Sequence, residues 1–162
     1  MRKNLPGNSV TVSYSRISHS LISSVWLENA LNPGGRKEFN ALWDTGADIS
    51  CVSPEVAKTL GLSPVTMIRI STPSDEDVPT HVYLVNLYLP NNIGVSKVRV
   101  AEGIPGGCDM LIGMDIITLG DFAVSNMDGC TAFSFRMPSL QKIDFCEHSY
   151  FPMSCQSTGG EA

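Results

Sequence analysis

Asp44 directly follows the apolar stretch 39–43, and small residues follow it in "WDTGADIS". A carboxylate at the end of a buried strand is costly unless it is hydrogen-bonded or paired. Gly46 allows a sharp turn and a close approach by another chain, and Thr45 offers a hydroxyl to a neighbouring backbone. The pattern predicts a carboxylate held in a fixed pose for chemistry, with an ordinary Asx-type turn, in which Asp44 caps its own loop, as the alternative.

The elements that must position this carboxylate are mostly strands. Alternating or continuous apolar residues predict them, and polar segments with Gly, Pro or Asn separate them. Residues 71–80 are acidic and contain proline, so they predict an exposed hairpin tip between two strands. The predicted strands cover residues 9–17, 18–31, 39–43, 49–53, 81–90, 95–101, 108–113 and 131–137.

Two short helices are predicted. Ser53 can cap the first, which ends near Gly61, a residue type common just beyond a helix. Asp115 can cap the second, formed by "IITL". Asp121 and Asp128 follow this helix, and we interpret both as turn residues.

Composition excludes several classes of protein. A length of 162 residues suggests one domain, and a net charge of −5 argues against a nucleic-acid-binding surface. No apolar run approaches about 18 residues, so we expect no membrane span. The basic N-terminus has no apolar segment behind it, so we expect no signal peptide and a cytoplasmic protein. Five cysteines without regular spacing favour reduced thiols.

Two motifs together carry a family resemblance. The first is "LWDTGADISCVSPEVAKTLGL", and the second is "MLIGMD", which begins at residue 110. This pair resembles the retropepsin-like, retroviral-type aspartic proteases, and most of all their bacterial intracellular members. The resemblance implies an all-β fold, a closed β-barrel with a flap hairpin around residues 70–82 and one or two short helices. It assigns 20–137 to the protease domain, 1–19 to an N-terminal strand or extension, and 138–162 to a C-terminal tail.

The resemblance also implies roles for the first motif. Asp44 would be the catalytic aspartate, and Thr45 would lock the two active-site loops together across a dimer. Gly46 would shape the loop. Ala47 and Asp48 would contact the backbone of the substrate.

Further substrate contacts are implied in the flap and in the second motif. Thr72 and Val78 belong to the flap region. Leu111 and Ile112, with Gly113, would pack behind the catalytic loop, and Leu111 would line a pocket.

The chain contains a single Asp-Thr-Gly, whereas the family's chemistry needs two carboxylates that share a water. The resemblance therefore implies an aspartic endopeptidase that acts on polypeptides as a symmetric homodimer. The two carboxylates would share one proton and titrate as a unit. No cofactor or metal is expected: Cys146, His148 and Cys155 offer three possible ligands but no CxxC pair.

The chain departs from the retroviral pattern in two places. Met114 stands where retroviral members carry the Arg that pairs with the residue matching Asp48. The flap tip 73–79 lacks glycine and carries Asp75, Glu76 and Asp77. Three interpretations stay open: a less mobile flap, a preference for basic substrates, or a hairpin that is not a flap of that kind.

These departures leave a second function open. It is a catalytically weak or inactive protease-like fold that acts as a peptide-binding or dimerisation module. The strand that would build the dimer sheet is also not obvious from the sequence, and residues 131–137 are the best candidate.

Overall fold

Strands with alternating burial build the protein, as the second strand illustrates. Along Leu21–Asn29, Ser23, Val25, Leu27 and Asn29 are buried, and the residues between them are more exposed. Side chains of a strand point alternately to its two faces, so one face of this strand packs on the core. A computed structural model describes residues 8–71, 77–103 and 107–145.

Ten strands and two α-helices make up the described part of the chain. The helices are α1, Pro54–Thr59, and α2, Met114–Ile117. The strands are β1 Ser9–Ser13, β2 Leu21–Asn29, β3 Lys37–Trp43, β4 Cys51–Val52, β5 Thr66–Ile70, β6 Val78–Leu89, β7 Ile93–Glu102, β8 Met110–Ile112, β9 Asp121–Ser125 and β10 Ala132–Arg136. No helix in these ranges is long and apolar enough to cross a membrane.

Six strands close into a barrel. Their order is β2-β3-β8-β4-β7-β6, and a pairing between β2 and β6 completes the circle. β5 extends the sheet beyond β6. Most pairings are antiparallel, but β3 runs parallel to β8 and β4 runs parallel to β7. The predicted all-β barrel is confirmed.

A smaller sheet in the order β1-β10-β9 packs against the barrel through aromatic side chains. Phe133 and Phe135 on β10 are fully buried. Their rings lie 5.6 and 5.1 Å from the ring of Trp43 on β3, measured between centroids. Because Trp43 directly precedes Asp44, this cluster fixes the end of the strand that carries the candidate catalytic residue.

Residues 131–137, the candidate strand for a dimer sheet, form β10 within a sheet of the same chain. β10 is the central strand of its sheet, with β1 on one side and β9 on the other. Both of its edges are already hydrogen-bonded, so it has no free edge for a partner strand.

The first helix is confirmed, but the cap of the second is not. Ser53 caps α1, and its hydroxyl accepts the N–H of Val56 at 3.2 Å. Gly113 is the N-cap of α2, and Asp115 lies inside that helix. The predicted capping role of Asp115 is therefore wrong, because its carboxylate bonds the buried Ser50 instead.

One of the two predicted turn residues lies in a strand. Asp121 begins β9, a strand that the sequence pattern did not indicate, and pairs with Arg136 at 2.6 Å. Asp128 lies in a short 3-10 turn with a φ of 53°, as expected of a turn residue.

β5 and β6 form the expected hairpin. Ile70 faces Val78 at its described end, and Arg69 pairs with Asp77 at 2.8 Å. Thr72 lies outside the described residues, as do Asp75 and Glu76.

Candidate active site

Asp44 is held at the point where β3 leaves the barrel. Its N–H donates to the carbonyl of Ile112 at 3.0 Å, which continues the parallel pairing of β3 with β8. Its carboxylate oxygen Oδ1 accepts the N–H of Gly46 at 2.8 Å. This is the geometry of an Asx-type turn, in which Asp44 caps its own loop, and this interpretation of the motif is therefore confirmed. The carboxylate is only half-buried, and its second oxygen bonds no other described residue.

Gly46 leaves little room for a side chain. A Cβ atom at this position would lie 3.2 Å from Oδ1 of Asp44. A methyl group there would press on the carboxylate and weaken the bond that orients it. Glycine thus serves the pose of Asp44 as well as the turn.

The start of α2 anchors the loop after Asp44. The N–H groups of Met114 and Asp115 donate to the carbonyls of Ala47 and Asp48, at 2.8 and 3.2 Å. A Cβ on Gly113 would lie 2.8 Å from the carbonyl oxygen of Ala47, so only glycine allows this approach. Gly113, the last residue of "LIG", thus packs against the loop through its backbone, and the contact leaves no space for a side chain at this position.

A buried polar network completes the anchor. Ser50 is fully buried, and its hydroxyl donates to Asp115 at 2.6 Å. The Ser50 N–H lies 3.1 Å from both carboxylate oxygens of Asp115, and the Ser50 hydroxyl accepts the N–H of Gly113 at 3.0 Å. Sequence reasoning missed this pair. The sequence features that could have indicated it are Ser50 at a buried position of the strand pattern and Asp115 two residues after "IG".

A surface pocket of about 350 Å³ lies beside Asp44. Asp44 and Thr45 line it together with Trp43, Phe122 and Val124. The rings of Trp43 and Phe122 stack with 5.4 Å between centroids and 11° between planes. β9 therefore forms one wall of the space next to the candidate catalytic carboxylate.

His19 lies on the rim of the same pocket, a position that sequence reasoning did not connect with Asp44. It is exposed and comes just before β2. The connection depends on the pairing of Leu21 with Trp43 at the ends of β2 and β3. Nothing in the local sequence around His19 signals this pairing.

Of the other predicted site residues in the loop after Asp44, Thr45 lines the pocket, and Ala47 and Asp48 do not. Thr45 and Asp48 are exposed, and Ala47 is half-buried in the anchored loop. Asp48 forms no ion pair with any described residue, in keeping with Met114 in place of an arginine. Val78, at the base of the hairpin, does not line the pocket beside Asp44.

The two predicted residues of β8 occupy different environments. Ile112 is fully buried and pairs with Trp43, so it supports the loop from behind. Leu111 is half-buried and pairs with Leu42. Leu111 does not line the pocket beside Asp44, and its role in a substrate pocket stays a prediction.

The thiol nearest this loop is poorly suited to act as a nucleophile. Burial raises the pKa of the Cys51 thiol, and the charges of Asp115 and Asp44 raise it further. A thiol with a raised pKa stays protonated near neutral pH, and the thiolate is the reactive form. The carboxylate of Asp44 is the better candidate for chemistry at this site.

No group of three or more His, Cys, Asp or Glu within 8–71, 77–103 and 107–145 is arranged to hold a metal ion. Cys146, His148 and Cys155 lie outside these ranges.

Comparisons with known proteins agree on a family and a fold. The sequence model of a family described as "gag-polyprotein putative aspartyl protease" matches residues 32–118, more than half of the chain. Eight chains of solved structures match the fold. One is a retropepsin-like aspartic protease from Rickettsia conorii, with a TM-score of 0.52 and 12% identity, covering 85% of this chain and 99% of that one. No curated protein matches in sequence.

Proposed function

The chain belongs to the gag-polyprotein aspartyl protease family, and we propose that it is an aspartic endopeptidase whose catalytic group is Asp44. The observation that carries the proposal is the pose of this carboxylate. One oxygen is fixed by the N–H of Gly46 at 2.8 Å, and the half-buried group opens onto a pocket. A carboxylate that is oriented but still accessible is what general acid–base chemistry requires.

The proposed active form is a symmetric homodimer. The chain supplies one Asp-Thr-Gly, and the reaction uses two carboxylates. A two-fold axis beside Asp44 brings the same residue from both copies together, because a two-fold interface contacts itself. Thr45 supports this arrangement, since its exposed hydroxyl has no partner among the described residues and can bond the loop of the second copy.

In this dimer the two Asp44 side chains hold one proton between them, because like charges at such short distance do not both persist. The charged carboxylate accepts a proton from a water, which attacks the carbonyl carbon of the peptide. The protonated carboxylate donates a hydrogen bond to the carbonyl oxygen. A proton then passes to the leaving nitrogen as the C–N bond breaks, without a covalent intermediate.

The rest of the proposed site binds an extended polypeptide. Ala47 and Asp48 present the anchored loop to the backbone of the substrate, and the hairpin with Thr72 and Val78 covers it. Leu111 and Ile112 support and border the loop from β8. Rigid positioning of this kind matters, since a displacement of about 1 Å can reduce a rate by about 100-fold.

The test is cleavage of a mixed peptide pool over about pH 4 to 7, a range that includes the upper apparent pKa of a known coupled carboxylate pair. Wild type, Asp44→Asn and Asp128→Asn are compared at several protein concentrations. Asp128 is a matched control because it is an exposed aspartate in a turn and does not line the pocket beside Asp44. We expect cleavage that disappears in Asp44→Asn, persists in Asp128→Asn and falls steeply on dilution.

Peptidase activity that survives in Asp44→Asn would overturn the proposal. A folded dimer that binds extended peptides but cuts none, in wild type as in the variant, would instead support the peptide-binding or dimerisation module. One observation favours this second function. Met114 stands where retroviral members carry an arginine, and Asp48 forms no ion pair among the described residues.

A further inference from the structure

The hairpin of β5 and β6 leaves the barrel at His81. β7 pairs with β6 as far as Ala101, which is opposite Val82, and ends one residue later at Glu102. From His81 to Val78, β6 pairs with β5 alone among the described strands. His81 and Glu102 therefore lie side by side at the point where the hairpin separates from the barrel.

The side chains of these two residues come within ion-pair distance. Nδ1 of His81 lies 3.7 Å from Oε1 of Glu102. This separation allows an ion pair but is longer than a hydrogen bond. The attraction therefore depends on the charge of the imidazole, which is positive only when both of its nitrogens carry a proton.

Glu102 is held in place independently of His81. Its backbone lies opposite Val52 of β4, and the phenol of Tyr83 donates a hydrogen bond to its Oε2. Burial, followed by the hydrogen bond and the charge of Glu102, raises the pKa of Tyr83 to about 12. The phenol therefore keeps its proton at acidic and neutral pH, and Oε1 of Glu102 remains available to His81.

The other charges beside the imidazole compensate each other. On β5, Met67 lies directly opposite His81, and Arg69 is the next residue on the same face. Arg69 forms an ion pair with Asp77 at 2.8 Å. Among the described residues of β5, β6 and β7, the carboxylate of Glu102 is thus the charge that His81 meets.

We propose that the ion pair of His81 and Glu102 fastens the hairpin to the barrel in a pH-dependent way. Protonation of His81 creates the attraction to Glu102, and loss of the proton removes it. Imidazole side chains ordinarily gain and lose their proton between about pH 5 and 8. The hairpin is therefore held more firmly at acidic than at neutral pH. This device rests on the proposed function, because that function places the hairpin over the substrate.

The test uses two replacements of His81 that fix its charge. His81→Lys is positive throughout the acidic and neutral range, and His81→Gln is neutral throughout. Glu102→Gln removes the partner charge but keeps an oxygen that accepts the hydrogen bond of Tyr83. Arg69→Gln is the matched control, since it removes an ion pair of the same hairpin that contains no imidazole. Circular dichroism checks the fold of each variant.

Hydrogen exchange of the β5 amides measures how firmly the hairpin is held. Each rate is compared with that of an unstructured peptide of the same sequence at the same pH, because exchange itself depends on pH. The side chains of His81 and Glu102 are 46% and 31% exposed, so water moderates their attraction. We expect wild type and His81→Lys to exchange about two- to fivefold more slowly than His81→Gln at about pH 5.

At about pH 7 wild type should approach His81→Gln, whereas His81→Lys should still exchange more slowly. Arg69→Gln should speed exchange equally at both pH values. In peptide cleavage, the KM of His81→Gln divided by that of wild type should fall over the same pH interval. Titration of the Asp44 carboxylates cancels in this ratio, because both proteins are measured at the same pH.

Equal exchange in wild type and His81→Gln at both pH values would overturn the inference. It would also fall if the pH dependence persisted in Glu102→Gln, since the imidazole would then act through another group. If exchange changed as expected but the KM ratio did not, the ion pair would hold the hairpin without affecting the site, and the proposed regulation would be wrong. Exchange is measured without substrate, so it can contradict this device while the Asp44→Asn assay still supports the peptidase.

Discussion

The bonds between Ser50 and Asp115 can be tested by two substitutions at one position. Asp115→Ala removes the acceptor of both the N–H and the hydroxyl of Ser50. Ser50 is fully buried, so water does not replace the carboxylate without rearrangement. An unsatisfied buried polar group costs about 1–3 kcal/mol, and two such groups predict a loss of about 2–6 kcal/mol in the free energy of unfolding.

Asp115→Asn should cost much less. Oδ1 of Asp115 accepts from the Ser50 hydroxyl at 2.6 Å and from the Ser50 N–H at 3.1 Å, whereas Oδ2 contacts only the N–H. An asparagine oxygen in the place of Oδ1 keeps the hydroxyl bond and one contact to the N–H, whereas the NH2 group in the place of Oδ2 is a donor and loses the second contact. We expect a loss of about 1 kcal/mol, which is the typical net contribution of one hydrogen bond.

Urea denaturation at neutral pH measures both losses, with Glu55→Ala as the control. Glu55 also lies in the first turn of a short helix but is exposed, so its removal tests the helix-dipole contribution alone. That contribution is about 0.3–1 kcal/mol. Equal stabilities for Asp115→Ala and Asp115→Asn would refute the reasoning, because the order Ala, Asn, wild type depends on the acceptors that each side chain retains.

Two further predictions concern the loop anchor and the small sheet. Gly113→Ala places a Cβ 2.8 Å from the backbone oxygen of Ala47, so we expect the loop to shift, kcat to fall about 100-fold and stability to fall about 1–3 kcal/mol. Gly34→Ala is the control, because its nearest neighbour would be 3.9 Å away, and an equal effect of both substitutions on peptide cleavage would contradict the prediction. The N–H of Leu140, followed by other donors, holds the pKa of Asp121 well below its ordinary value of 3.8. A depressed pKa gives stability that is present above the ordinary value and is lost as pH falls through the folded-state pKa. Denaturation midpoints between about pH 2 and 6 should therefore fall on acidification, less steeply in Asp121→Asn, and identical slopes would contradict this origin.

Local patterns determined the elements that carry the site. The alternation in β2 and β10, the cap at Ser53 and the apolar run before Asp44 all depend on neighbours along the chain, so the sequence displays them. The pair of motifs indicated the family that the match over residues 32–118 now supports. The Asx-type hydrogen bond from the N–H of Gly46 to Asp44 is equally local, and the sequence predicted it as one of two interpretations of the turn.

Tertiary structure decided the contacts between distant segments. Asp115 looked like a helix cap because aspartate favours that position, but the fold brings the buried Ser50 to it across 65 residues of sequence. Accepting hydrogen bonds from two buried donors contributes more to stability than capping a four-residue helix. Gly113 is the N-cap of this helix, and no side chain bonds its first turn.

Strand order shows the same limit of sequence reasoning. The aromatic alternation of β10 identified a strand but not its neighbours, and β1 and β9 occupy both of its edges. β9 itself is short and follows a helix, so its edge position beside Asp44 appears only when the sheet is assembled. The sequence by itself determined that the carboxylate of Asp44 lies in a turn at the end of a buried strand. Only the tertiary structure decided what holds that turn and which strand borders it, because burial and pairing between distant segments leave no periodic signal in the chain.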